Sequence, residues 1–158
     1  MKEVEEVYPT ELQGTEINDY LADLKSKPFT NLKEQDVLIT SDTIVWFDNK
    51  ALGKPKDKED AISILQEISG KMHQVITSVS LKGNNFQTIF NDTTNVYFKE
   101  LTLEEITYYI ENNQPYDKAG SYGIQEWIGF IGIERIEGSY FNVMGLPVQK
   151  LYKELMKL

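Results

Sequence analysis

No cysteine occurs in the 158 residues. A disulfide framework, a Cys-ligated zinc site and thiol catalysis are thereby excluded. Histidine occurs once, at His73, which rules out a His-rich metal site. Arginine also occurs once, at Arg135, among 16 basic residues, so any grip on phosphate must rest on a few placed lysines or a metal. Long apolar runs are missing as well. The longest, residues 127–133, holds seven residues with two glycines, against the ~20 that a membrane-spanning helix needs. Residues 1–9 are charged and contain no apolar signal core, so a cytoplasmic protein is expected. Gly-x-x-x-x-Gly-Lys, Gly-x-Gly-x-x-Gly and Gly-x-Ser-x-Gly patterns are absent, which removes the P-loop, dinucleotide-fold and nucleophile-elbow readings.

What is present describes a folded, acidic domain. There are 25 Asp+Glu against 16 Lys+Arg, a net charge of −9, and a field of that sign repels nucleic acid and anionic membranes. With 41% hydrophobic residues, including 7 Phe, 9 Tyr and 2 Trp, the chain has the material for a core, and its length suits one domain over 1–158. No linker, repeat or low-complexity block divides it.

Helical and strand patterns alternate. Ile17, Leu21 and Leu24 form a helical stripe with Thr15 placed to cap it. Runs 37–40 and 43–47 read as two buried strands, and Asp57 precedes a stripe of Ala61, Ile64, Leu65 and Ile68, closed by Gly70. Residues 73–82 alternate, Gly83-Asn84-Asn85 signals a turn, and 85–90 read as the return strand, with another strand at 95–99. Thr102-Leu103-Glu104-Glu105 is a capping-box pattern. Segments 127–136 and 139–143 read as extended around Gly138, and Pro147 opens an amphipathic helix of Val148, Leu151, Tyr152 and Leu155. The expected class is α/β, a mixed sheet with flanking helices.

Among chemistry-bearing residues, Asp42 is the most informative. It interrupts an apolar β-rich run, and a lone buried carboxylate costs several kcal/mol unless paired or metal-bound. It reads either as a turn aspartate between strands or as a base or metal ligand lining a cleft. Pro55 holds Lys54 extended, which aims its ammonium or leaves an ordinary loop lysine. Asp117 to Gly123, with two glycines, makes either a ligand-hugging loop or a turn. His73 reads as a capping or structural histidine. Tyr108 and Tyr109 read as core or half-buried surface, and Arg135 as a surface ion-pair residue.

Together these segments resemble one family. Asp42-Thr43-Ile44-Val45, Gly53-Lys54-Pro55, Ser69-Gly70-Lys71-Met72-His73-Gln74-Val75, Asp117-Lys118-Ala119-Gly120-Ser121-Tyr122-Gly123-Ile124-Gln125 and Gly138 through Pro147 follow in order across essentially the whole chain. Each is weak alone, but five in order with natural spacing resemble the Maf family of nucleoside triphosphate pyrophosphatases. The resemblance implies an elongated two-lobed α/β fold with a cleft, related to inosine triphosphate pyrophosphatases. It implies hydrolysis of a nucleoside triphosphate to monophosphate and pyrophosphate. A divalent cation (Mg²⁺ or Mn²⁺), a cytoplasmic location and a homodimer also follow from it. Asp42 matches the family's proton acceptor. Glu6 matches a carboxylate before Tyr8-Pro9 and, with Asp42, is a candidate metal ligand. Lys25 and Lys54 match substrate-binding lysines, with Ser26 a departure where alanine is usual. Thr43 and Gln125 match positions tied to base preference, and Tyr122-Gly123-Ile124-Gln125 is similar to the branch acting on dTTP and UTP.

One departure stands out. The family's Ser-x-Ser-Pro-Arg-Arg segment, which supplies phosphate-binding amides and guanidinium groups, occurs nowhere in this sequence. The resemblance therefore leads us to expect an N-terminally truncated chain with an unpaired sheet edge. A catalytically inactive nucleotide-binding or division-regulating member is the competing expectation, and a house-cleaning pyrophosphatase of the inosine triphosphate type is a third.

Overall fold

A computed structural model describes residues 4–158. The first three residues of the charged N-terminal stretch lie outside the described part. The elements run α1 (Thr15–Ser26), β1 (Leu38–Phe47), β2 (Lys50–Leu52), α2 (Lys58–Ile68), β3 (Met72–Lys82), β4 (Gln87–Phe98), α3 (Leu103–Asn113), a 3-10 turn (Ala119–Ser121), α4 (Trp127–Gly132), β5 (Ile133–Glu137), α5 (Tyr140–Val143) and α6 (Val148–Leu155). Five strands form one sheet in the order β2-β1-β3-β4-β5.

The α/β class with helices against a sheet is as expected, but the pairing differs in detail. Every pair among the described residues is antiparallel, where a mixed sheet was anticipated. Two of the four pairings have a local cause: a two-residue turn folds β1 onto β2 and a short turn folds β3 onto β4, and such hairpins can only pair antiparallel.

Both faces of β3 are buried. Val75, Thr77, Val79 and Leu81 alternate with Ile76, Ser78 and Ser80, all below a tenth exposed. On one face, Ile44 and Ile76 pack beneath Ile17 and Leu21 of α1. On the other, Val45, Val75, Val96 and Phe98 pack with Leu65 and Ile68 of α2 and Ile106 and Ile110 of α3. Burying each such side chain contributes roughly 1.5–3 kcal/mol, which suffices without covalent staples. Among the described residues no helix is long and apolar enough to cross a membrane.

Helix ends follow the sequence signals in part. Asp57 caps α2 by accepting from the Asp60 amide at 2.8 Å. Thr102 and Glu105 form the reciprocal capping box of α3. Gly70 has φ +69, the left-handed residue that stops α2. Thr15 does not cap α1; it is the first helical residue, and Gly14 stands at the cap with no side chain to offer.

Four strand assignments need correction. Runs 37–40 and 43–47 are one continuous strand through Asp42, because a lysine on α1 pairs the carboxylate and removes the need for a turn. Segments 85–90 and 95–99 are likewise joined in β4: the polar run between them stays paired to β3, Asn91 donates to Asp19, and Thr94 donates to the Ser139 carbonyl. Residues 127–132 are helical rather than extended. A Cβ at Gly129 would lie 1.9 Å from the Ile124 carbonyl oxygen, so the glycine is what lets this helix close against the preceding loop. Residues 140–143 form a further helical turn, capped by Ser139.

Candidate active site

A cleft forms where β1 loses its outer neighbour. β2 pairs with β1 only over Val45, Trp46 and Phe47, and among the described residues no strand lies outside stretch 38–44. Alternation along β1 sends Asp42 toward α1 and Thr43 to the opposite face. A cavity of about 310 Å³ wraps this edge and is lined by both residues.

Asp42 is 6% exposed. Lys25, in the last turn of α1, places its Nζ 2.6 Å from Asp42 Oδ1 and 3.0 Å from Glu6 Oε1. The other Glu6 oxygen, Oε2, lies 3.2 Å from Lys54 Nζ. The four side chains therefore form one chain of alternating charge: Asp42, Lys25, Glu6, Lys54. Burial pushes the Asp42 carboxyl above its ordinary range, and the Lys25 ammonium offsets this only in part. Partial burial would raise Glu6 too, but there Lys25 and Lys54 win and hold it below the usual carboxylate range. Burial works against the charge on Lys25, yet Asp42 and Glu6 outweigh it and raise its pKa.

The opposite wall comes from two loops. Gly120, at φ +70, donates its amide to the Gly53 carbonyl at 3.1 Å and lies against Val45, where a Cβ would come within 2.6 Å of a methyl. This docks the 117–123 loop onto the β1–β2 hairpin beside Lys54. Lys118 bridges Asp117 at 2.9 Å and Glu126 at 3.2 Å. Glu126 also accepts from the Tyr109 hydroxyl, which in turn accepts from the Gly123 amide at 3.1 Å. Burial and Glu126 both push the Tyr109 phenol upward, so it stays a donor. Gln125 is exposed and lines the cleft, and Val143, Met144 and Gly145 close it from the α5 side.

Glu6, Lys25, Asp42, Thr43, Lys54 and Gln125, the six residues singled out from the sequence, thus share one hollow. A second hollow of about 840 Å³, lined by Val4, Phe29, Leu38 and Ile39, shares Glu6, Lys25 and Lys54 with the first. Lys118 also lines the cleft, and Thr77 stands behind Thr43 with its hydroxyl oxygen 2.9 Å from Thr43 Oγ1; neither was assigned to the site from sequence. Lys118 carried a signal in its Gly-flanked charged pair, but nothing in the sequence marks Thr77. His73 is structural, as expected: it is buried, its Nε2 lies 2.7 Å from the Tyr122 hydroxyl, and burial lowers its pKa to about 4. Arg135 pairs with Glu137 at 2.7 Å on the surface, and Tyr109 is fully buried while Tyr108 is exposed against Trp127.

A sequence profile described as Maf-like protein matches residues 1–158. The chain belongs to the Maf family. A Maf relative from Flavobacterium johnsoniae named dTTP/UTP pyrophosphatase is 55% identical over 159 residues, covering 100% of this chain and 82% of its own. Relatives of the same name from Christiangramia forsetii and Bacteroides fragilis are 54% and 53% identical, each over 100% of this chain and 81% and 82% of theirs.

The donor set fits a hard cation in kind. Among the described residues no group of three or more His, Asp or Glu side chains could hold a metal by itself. Glu6 and Asp42 nonetheless both turn oxygens toward one cationic centre, the Lys25 ammonium. One or two carboxylates completed by substrate phosphates is the usual arrangement for Mg²⁺.

Proposed function

We propose that this Maf-family chain, a single domain over 1–158, hydrolyses dTTP and UTP to the monophosphate and pyrophosphate. The observation that carries the reading is the meeting of Asp42, Lys25, Glu6 and Lys54 in one cleft. Relatives at about half identity that bear the name dTTP/UTP pyrophosphatase support it.

The chemistry follows from the charge arrangement. Water attacks the α-phosphorus, a new P–O bond forms, the bond to the bridging oxygen breaks, and pyrophosphate leaves with the electron pair. Asp42 accepts the proton of the attacking water. A carboxylate lifted by burial is a better base near neutral pH than an exposed one. Lys25 and Lys54 take the phosphate oxygens as point charges, each exchanging part of its contact with Glu6 for the substrate. A divalent cation, when bound, would be held by Glu6 and Asp42 and would supply charge neutralisation on the phosphates. Val45, Val75 and Tyr122, which also line the cleft, offer an apolar surface for a base, with Thr43 and Gln125 as polar contacts.

Pyrophosphate release from dTTP, UTP, CTP, ATP and GTP with Mg²⁺ or Mn²⁺ tests the reading. The expected result is turnover of dTTP and UTP, reduced at least ~10²-fold by Asp42→Asn. Nucleotide binding without pyrophosphate release would instead support the inactive, ligand-binding alternative.

A further inference from the structure

Thr43 lines the cleft, but its hydroxyl is not free to choose a partner. Thr43 Oγ1 lies 2.9 Å from Thr77 Oγ1, and Thr77 Oγ1 lies 3.1 Å from the backbone carbonyl of Asn142. Thr77 is 0% exposed. Three oxygens in a row leave two gaps, and two hydroxyl protons are available to fill them. A carbonyl can only accept, so the Thr77 proton must point at Asn142. The Thr43 proton must then fill the other gap and point at Thr77. Any other arrangement leaves two oxygen lone pairs facing each other at hydrogen-bond distance, with Thr77 fully buried.

The end of this relay is firmly held. Asn142 is 0% exposed, and its amide donates to the Val75 carbonyl and to Thr94 Oγ1, both at 3.0 Å. Thr94 accepts from the Ser139 amide and donates to the Ser139 carbonyl. A Cβ at Gly138 would lie 2.7 Å from Thr94 Oγ1, so the turn is a glycine. The Asn142 carbonyl also accepts from the Gly145 amide, and Gly145 lines the cleft with its Cα open toward Thr43 Oγ1.

We infer that Thr77 is a specificity-determining positioning residue: through it, the Asn142 carbonyl fixes Thr43 as a hydrogen-bond acceptor toward the cleft, selecting a base that presents a ring N–H. This rests on the proposed action on dTTP and UTP, and deepens it. A glycosylated uracil or thymine carries one N–H, at ring position 3. Cytosine carries a lone pair there. An acceptor-only Thr43 bonds the first and opposes the second. Without Thr77, the Thr43 hydroxyl can rotate and donate, so it tolerates both.

The test is binding of the non-hydrolysable α,β-imido analogues of UTP and CTP to the full chain by titration calorimetry. Wild type, Thr77→Val and Thr77→Ser are compared, with thermal unfolding of each. Thr77→Val should shrink the ratio of the two dissociation constants by about tenfold, chiefly through tighter binding of the CTP analogue. Thr77→Ser, which keeps the hydroxyl, should restore the wild-type ratio. An unchanged ratio in Thr77→Val, or both analogues weakened equally, overturns the inference. If Thr77→Val does not fold, Thr77→Ala carries the same comparison. Failure of the proposed function is separately visible: wild type would then bind neither analogue, or bind the UTP analogue yet release no pyrophosphate from UTP.

Discussion

Replacing Lys25 by methionine keeps the length of the side chain but removes the ammonium between two carboxylates. Asp42, 6% exposed, would then keep a charge with no cation within reach except Lys54, which is already engaged by Glu6. Breaking a fully buried ion pair costs roughly 3–5 kcal/mol, and breaking an exposed one ~0–1. Lys25 and Glu6 are 27% and 38% exposed, so the cost falls between, at about 2–3 kcal/mol near pH 8. Asp42 already lies above its unfolded pKa because of burial, and losing Lys25 raises it further. A carboxyl raised in the folded state destabilises the fold wherever it must ionise, and that penalty is relieved as pH falls through the raised value. The difference between variant and wild type should therefore shrink from pH 8 to pH 5. Urea unfolding followed by the fluorescence of Trp46 and Trp127, with both proteins measured at each pH, gives this difference directly. A loss that is the same at pH 8 and pH 5 would refute the claim that Asp42 is a buried charge held by Lys25.

Two further outcomes are expected. His73 is buried with its pKa lowered to about 4 from 6.5, so the unfolded chain takes up a proton that the folded one refuses. Stability is intact above pH 6.5 and falls by roughly 3 kcal/mol as pH drops toward 4, a slope that His73→Gln should flatten and that urea midpoints at pH 7 and pH 5 would expose as absent if the reasoning fails. Gly120→Ala sets a Cβ against Val45 at a φ of +70, so it should cost about 2 kcal/mol or more in thermal unfolding and raise KM by loosening the Lys118–Gln125 wall. An unchanged melting temperature would contradict it.

What the sequence revealed depended on how local the cause was. Helix ends were legible where one side chain makes the cap, as at Asp57 and Thr102. Asp42 was ambiguous because its partner, Lys25, lies 17 residues away, and only that pairing decides between a turn and an unbroken strand. Residues 127–132 misled for a similar reason. Their apolar content suits a strand, and the helix depends on Gly129 meeting the Ile124 carbonyl, a contact that pattern cannot show. The six candidate site residues came to one cleft because ordered motifs marked them. Thr77 escaped notice because a threonine in a β-rich run looks like any other, and its importance lies in a carbonyl 65 residues further along.

The charge of the cleft bears on how an acidic protein could take up a polyanion at all. Three lysines, Lys25, Lys54 and Lys118, face three carboxylates, Glu6, Asp42 and Asp117, so the cavity carries little net charge, inside a chain of −9. The lysines are not idle cations awaiting phosphate; each already pairs with a carboxylate at 3.2 Å or closer. A triphosphate entering alone would have to pull ammonium groups away from Glu6 and Asp42 and leave those carboxylates facing its own negative oxygens. A divalent cation, if bound with it, would be held by Glu6 and Asp42 and would neutralise the phosphates, leaving Lys25 and Lys54 free to turn to the phosphate oxygens. On this reading metal and nucleotide bind together more strongly than separately. The nucleotide's affinity should rise with Mg²⁺ concentration, and Glu6→Gln should weaken that dependence more than it weakens binding in the absence of metal.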